Sequence, residues 1–427
     1  MNDSAIARRG LAIMLGMIFG IGFGTMAFNA AVDPYGYFGS PTWTGWNQSK
    51  PKAFAHDRYL KAALGRRVAA ECVLAGSSRV GEGIDPADPA LAACDGVVDL
   101  SLAGPTVGEM TQVVRLAQQA VAGPRRVILS LDFFAFNPSR EPTRGGAVAF
   151  SEGVADRALT ALKLLASLDT LGDSVSTVLR QDEPAFQAAR GSVDQAFLQR
   201  SEQKRSTRAT FALGVRAYIL HNLPGPRHEF PPVGEASQPA QTLQRFLLDQ
   251  HRQGVEVVLF FSPVHAWHLE LLSALELWQT WQEWRTTVIR VNAAAAAQAS
   301  RNPFALWDFA TYGAPSNEAV PGGDAEFAPL ASFWDTSHFR RVLGGRMLRR
   351  MLGAPDDFGV RLDSSELIAQ RHTVIATERE HWRQANPRDV ADVHAVVACF
   401  APLQVRQRLN LPAHDAATCT RLQRMTR

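Results

Sequence analysis

Two kinds of apolar pattern divide the chain. The first is unbroken. Residues 10–32, GLAIMLGMIFGIGFGTMAFNAAV, carry no charge, and only Thr25 and Asn29 have polar side chains. About 20 such residues are enough for a helix to cross a bilayer. Arg8 and Arg9 precede the run and Asp33 is the first charge after it, which leaves a short cytoplasmic N-terminus over 1–9 and puts the rest outside. A cleaved signal peptide has a shorter apolar region and a small-x-small site, which is not clear before Asp33-Pro34. The expectation is therefore an uncleaved signal-anchor over 10–32.

The second kind is alternating. Short continuous apolar runs at Cys72–Ala75, 97–102, Arg126–Leu131 (RVILSL), 255–261 (VEVVLFF) and 304–309 (FALWDF) read as strands. Between them, 107–121 places Met110, Val113, Val114, Ala117 and Val121 on one helical face and stops at Gly123-Pro124. A helix over 239–253 uses Leu243, Phe246, Leu247 and Gln250 and is closed by Gly254, and 268–298 is mostly helical. Residues 53–69 predict a further helix with basic positions Arg58, Lys61, Arg66 and Arg67. Apolar strands alternating with helices imply a parallel sheet covered on both faces.

The segment 33–51, DPYGYFGSPTWTGWNQSKP, is too aromatic for a flexible linker and reads as an ordered connection. Between about 138 and 235 there are helical patches but no strand, predicting a helical insertion at the sheet's edge or the rim of its site. Residues 354–427 predict a helical tail, leaving 33–353 as the main domain. A chain of 427 residues accommodates one α/β domain with such insertions, and a net charge of +3 without a long basic run argues against nucleic acid as a partner. The four cysteines suggest the pairs Cys72–Cys94 and Cys399–Cys419, which an extracytoplasmic location permits. No Cys-x-x-Cys or His-rich spacing points to a metal.

Chemistry concentrates in two distant fragments. Gly76-Ser77-Ser78-Arg79 follows the first strand, and Asp335-Thr336-Ser337-His338 follows Phe333-Trp334 after the last strand. A serine hydroxyl becomes nucleophilic when a histidine takes its proton and a carboxylate orients that histidine. In open α/β sheets such groups gather at the carboxyl ends of strands. Ser78, Asp335 and His338 are the candidate nucleophile, orienting acid and base. Gly104, after the second strand, is placed to lend a backbone N–H to an oxyanion. Ser78 and Asp335 each have an alternative reading as helix caps. Arg79 either binds an anionic substrate group or neutralises a buried carboxylate. His265, with His268 nearby, either lines the same rim or packs under Trp267. Asp308 reads as a partner for loop amides. Arg340, Arg341, Arg346, Arg349 and Arg350 read as the solvated face of the helix after His338.

The order of these fragments resembles the SGNH (GDSL-like) hydrolase and acyltransferase superfamily. The turn Gly76-Ser77-Ser78 resembles that of its membrane-anchored or exported branches in alginate O-acetylation and teichoic acid D-alanyl transfer. The resemblance spans roughly 74–353. It implies a three-layer, flavodoxin-like parallel α/β sheet with helical insertions, Ser78, His338 and Asp335 as the triad, Gly104 as an oxyanion donor, and no cofactor. It also implies a periplasmic acyltransferase or esterase acting on an envelope polysaccharide or another acylated envelope substrate, with a membrane acyl-donor protein as partner. Two departures stand out. Ser77 replaces the usual Asp, and no Gly-x-Asn-Asp block follows the third strand. Asp132 holds that place, where an ionised carboxylate would repel an oxyanion, and Asn137 is the candidate to supply the oxyanion-hole amide if the chain turns back. The acyltransferase-like branches tolerate Ser77, whereas the missing block favours the alternative, a non-catalytic binding or assembly factor for polysaccharide modification.

Overall fold

The computed structural model describes residues 3–426 apart from 120–122, 144–148, 152, 184–188, 224–229, 324–325, 363 and 412–415. Its centre is a six-stranded sheet in the order β2-β1-β3-β4-β5-β6. The strands are β1 (Cys72–Ala75), β2 (Val97–Asp99), β3 (Arg126–Leu131), β4 (Glu256–Phe261), β5 (Ala305–Asp308) and β6 (Val360–Arg361). The first five are parallel; β6 runs antiparallel on β5. Side chains alternate across a strand, and here both sets are apolar. Val73, Ala75, Val127, Leu129, Val257, Leu259 and Leu306 enter one hydrophobic cluster, while Leu74, Ile128, Val258, Phe260 and Trp307 enter a second. Burial on both sides explains why these strands are continuous apolar runs.

The N-terminal helix α1 (Asp3–Val32) leads into an aromatic loop and then α2 (Asp57–Arg67). Next come α3 (Ser78–Gly83) and α4 (Val107–Gln118), the latter opened by a capping box in which Thr106 and Glu109 satisfy each other's backbone N–H. Val121, expected on the same helical face, lies outside the described residues. The region between β3 and β4 contains α5 (Val154–Ala166), α6 (Leu168–Leu179), α7 (Gln195–Glu202), α8 (Thr207–Asn222) and α9 (Gln238–Gln253). After β4 come α10 (Ala266–Ala274) and α11 (Trp278–Gln298), and after β5 a long loop and α12 (Arg341–Met351). The chain ends with α13 (Ser365–Ala385), α14 (Pro387–Phe400), α15 (Leu403–Arg408) and α16 (Ala416–Met425).

Helices α4, α9 and α11 cover one face of the sheet; α3 and α12 cover the other. Residues after 353 are part of the same body. β6 extends the sheet, and Ile368, Ile375, Trp382, Val393 and Val396 belong to the larger cluster. The disulfides join Cys72 to Cys94 and Cys399 to Cys419, leaving no free cysteine.

Two expectations are corrected, and two basic positions of the second helix gain partners. The second strand ends at Asp99 rather than 102, although Leu100 and Leu102 still donate backbone hydrogen bonds to Leu74 and Gly76. Arg58 and Lys61 are buried and paired with Asp57, Glu109 and Asp99. The arginines at the N-cap of α12 and along it are paired or stacked, with only Arg349 in the exposed class expected of a solvated face. Arg340 pairs with Glu202, Arg341 with Asp85, Arg346 and Arg349 with Asp356, and Arg350 lies over the Trp307 ring.

Candidate active site

The strand order reverses at β1, with β2 on one side and β3 on the other. That is where open parallel sheets leave a crevice beyond their strand ends. The chain leaves β1 through Gly76, whose φ of +141° a side chain would strain, and whose added Cβ would lie 2.0 Å from Ser130 Oγ. Ser77 caps α3: its Oγ accepts from the Arg79 N–H at 3.2 Å and donates to Asp132 Oδ2 at 2.5 Å. The cap is therefore Ser77, and Ser78 is the first residue of the helix with its side chain free for another partner.

That partner is His338. Ser78 Oγ lies 2.9 Å from His338 Nε2, and His338 Nδ1 lies 2.8 Å from Asp335 Oδ2. Asp335 does not cap α12, whose N-cap is Arg340. Its Oδ1 instead accepts from the N–H groups of Ser337 at 2.7 Å and His338 at 3.0 Å, folding the loop back on itself. A bridge between Phe333 and Phe339 closes that loop. The result is a serine, imidazole and carboxylate in hydrogen-bonded series.

Charge around the series is strongly biased. Burial alone would raise the Asp335 carboxyl, but His338 and two N–H donors outweigh it and hold it well below the usual carboxylate range. Burial likewise opposes charge on His338, yet Asp335 and then Glu82 prevail and raise it to about 9. Glu82, one helical turn after Ser78, has its carboxylate 3.7 Å from His338 Nε2. Burial pushes this carboxyl up to about 7. Glu82 was not among the residues expected here, although the i, i+4 spacing from Ser78 is a signal that points to it.

A cavity of about 360 Å³ opens over Ser78 and is lined by Gly104, Phe134, Arg140, Tyr218, His268 and His338 among others. Gly104 has φ +52°, and its carbonyl accepts from Arg140 Nη2 at 2.6 Å. Neither the Ser78 nor the Gly104 N–H has an acceptor among the described residues, so both remain available as donors. Helix α8 supplies one wall through Gly214, Tyr218 and His221.

Other expected site residues are placed elsewhere. Asn137 is buried with its amide donating to the Asn222 carbonyl at 3.2 Å and its Oδ1 accepting from Ser139 at 2.9 Å. It does not line the cavity over Ser78, because its hydrogen bonds are used to hold the loop after β3 against α8. His265 is fully buried and caps α10, with Nδ1 accepting from Trp267 and Nε2–H donating to the Glu318 carbonyl. Burial lowers its pKa to about 4. Its backbone N–H does hold the Thr336 carbonyl of the loop that carries His338. His268, not His265, lines the cavity. Arg79 neutralises a buried carboxylate, Asp132, at 2.8 Å, and borders the cavity as well. Asp308 pairs with Arg285 and Arg371 and accepts from the Ala310 N–H.

Among the described residues no group of three His, Cys, Asp or Glu side chains is arranged to hold a metal ion. Helix α1 contains a stretch, Ala7–Val32, long and apolar enough to cross a membrane. Comparison with family models, curated proteins and solved structures finds no match for this chain.

Proposed function

We propose that this protein is a membrane-anchored, extracytoplasmic SGNH-type serine acyltransferase or esterase. The observation that carries the reading is the series Ser78 Oγ–His338 Nε2, 2.9 Å, and His338 Nδ1–Asp335 Oδ2, 2.8 Å, opening on a cavity. The strand order β2-β1-β3-β4-β5, which flavodoxin-like sheets share, supports the family resemblance. Two disulfides support a location outside the cytoplasm.

In this mechanism neutral His338 takes the Ser78 proton as Oγ attacks an ester carbonyl. The Ser78 and Gly104 N–H groups receive the oxyanion. Collapse expels the alcohol, which leaves with the proton from His338, and a seryl ester remains. A sugar hydroxyl or water, deprotonated by His338, then takes the acyl group and restores Ser78. The substrate proposed is an acylated envelope or exported polysaccharide, and a membrane acyl-donor protein is the partner proposed for transfer.

The placement of Asn137 favours one second reading. With Asn137 held on the Asn222 carbonyl instead of at the oxyanion position, the protein would be a binding or assembly factor that retains the cleft without turnover. A fluorophosphonate probe separates the two. The enzyme reading predicts labelling of the intact chain that disappears in Ser78→Ala and in His338→Ala; an unlabelled intact chain would sink it.

A further inference from the structure

Helices α5 and α6 are amphipathic in the opposite sense to the rest of the molecule. Their buried positions are Thr160, Leu164, Thr170, Ser174 and Thr177, so four of the five carry hydroxyls and only Leu164, packed with Tyr35 and Tyr37, is a leucine. Their outward positions include Leu159, Leu162, Leu168, Val175 and Leu179, with Leu168 76% and Leu179 75% exposed. A helix on a water-facing surface buries its leucines and exposes its polar residues. Small residues inside and leucines outside is how helices pack when the surrounding medium is hydrocarbon.

The pair is fastened to the end of α1. Asn29 donates from Nδ2 to the carbonyls of Leu165 at 2.9 Å and Ser167 at 3.3 Å, and Ser174 Oγ donates to Asn29 Oδ1 at 2.9 Å. Asn29 is three residues from the end of α1 at Val32, so the turn between α5 and α6 sits about 5 Å from that end. Before this collar, α1 is bare: Leu11, Ile18, Phe19 and Phe23 are all exposed. Trp43, on the loop that covers the end of α1, is 53% exposed, as an aromatic at a membrane boundary would be. The charges beside the leucines are mixed: the exposed carboxylates of Asp156 and Asp169 stand in the first turns of α5 and α6, facing the headgroup side in this placement. Lys163 is exposed and long enough to snorkel, and Asp173 is turned toward Tyr35, Lys52 and His56.

We propose that the α5–α6 hairpin is a second membrane contact, lying in the bilayer interface beside α1 with its leucines at the acyl-chain boundary. The contact goes beyond acyl transfer and rests only on the reading of α1 as a membrane span. Interfacial helices of this kind insert by about 5–10 Å.

All four native cysteines are paired, so an introduced one is the sole free thiol. Leu168→Cys, Leu179→Cys and Phe19→Cys would each be labelled with an environment-sensitive fluorophore in the full chain. The labelled chains would be reconstituted in phosphatidylcholine–phosphatidylglycerol vesicles carrying lipids spin-labelled near the headgroup or near mid-chain. The expected result is loss of fluorescence at 168 and 179 with the shallow spin label and little with the deep one, and the reverse preference at 19. Quenching at 19 with none at 168 or 179, and free access of iodide to those sites, would overturn the hairpin contact and leave the span intact. Protection from iodide without quenching by lipid would also overturn it, by showing a protein over the face. No quenching at 19 would overturn the span, and the hairpin proposal with it.

Discussion

Ser78 and His338 are 260 residues apart in the chain, and the groups around their hydrogen bond set when it can transfer a proton. With His338 raised to about 9, the imidazole is mostly protonated at neutral pH in the resting site. A general base must be neutral, so ester hydrolysis should increase with pH until His338 has titrated. Glu82 contributes to that elevation from 3.7 Å. Glu82→Gln removes the charge and keeps the shape, so the His338 pKa should fall. The rising limb of kcat/KM against pH should then move down by roughly one unit, as expected for loss of a single nearby opposite charge. An unmoved limb, measured with a small activated ester, would remove Glu82 from the proton economy of the site. This carboxylate was within reach of a reading of the sequence, since residues four apart share a helical face. The engagement of Asn137 was not, because its partner is the carbonyl of Asn222, 85 positions away. His265 misleads for a similar reason: a histidine just after a strand is as well suited to capping the next helix as to lining a cleft.

At the scale of elements, the two halves of the site are held by an unusually close crossing. A Cβ added at Gly344 of α12 would lie 1.8 Å from the Gly83 carbonyl of α3, and one at Gly83 would strike the Phe339 ring at 2.2 Å. Ser78 opens α3, and His338 lies just ahead of α12, so this contact sets the spacing between the proposed nucleophile and base. Gly344→Ala should push the helices apart, destabilising the fold by about 1–3 kcal/mol as overpacking does. It should also weaken fluorophosphonate labelling more than it lowers Tm would suggest. Labelling unchanged in a folded variant would show that the crossing does not set the spacing. The five parallel strands were legible because burial on both faces makes each a continuous apolar run. Two features were hidden. β6 is only Val360–Arg361, both exposed at the sheet edge, and so has no apolar signature. The end of β2 was blurred because Leu100 and Leu102 stay apolar and hydrogen-bonded beyond the strand.

For the molecule as a whole, the C-terminal region reaches back to the site. Arg216 of α8 donates to the Thr426 carbonyl at 2.8 Å and to its Oγ1 at 3.0 Å, and the opposite side of α8 lines the cavity. The Cys399–Cys419 bond holds α16, which precedes Thr426, against α14. A disulfide closing a loop of this size stabilises by about 3 kcal/mol. Replacing both cysteines with serine should lower Tm and raise KM, while kcat changes little because the Ser78–His338 pair lies on other elements. A fall in kcat alone would contradict this arrangement. The other end of the chain is held at least as firmly. The closing carbonyls of α1 accept from Ser40 Oγ, Asn47 Nδ2 and Lys50 Nζ, so the helix enters the domain without a swivel. With α1 in a bilayer, the cavity would stand at one altitude and one tilt. It could not sweep a volume as a head on a slack tether does. Encounters would then scale with the number of acceptors per unit area passing beneath that height, and a polymer chain would be accessible over the short stretch that crosses it.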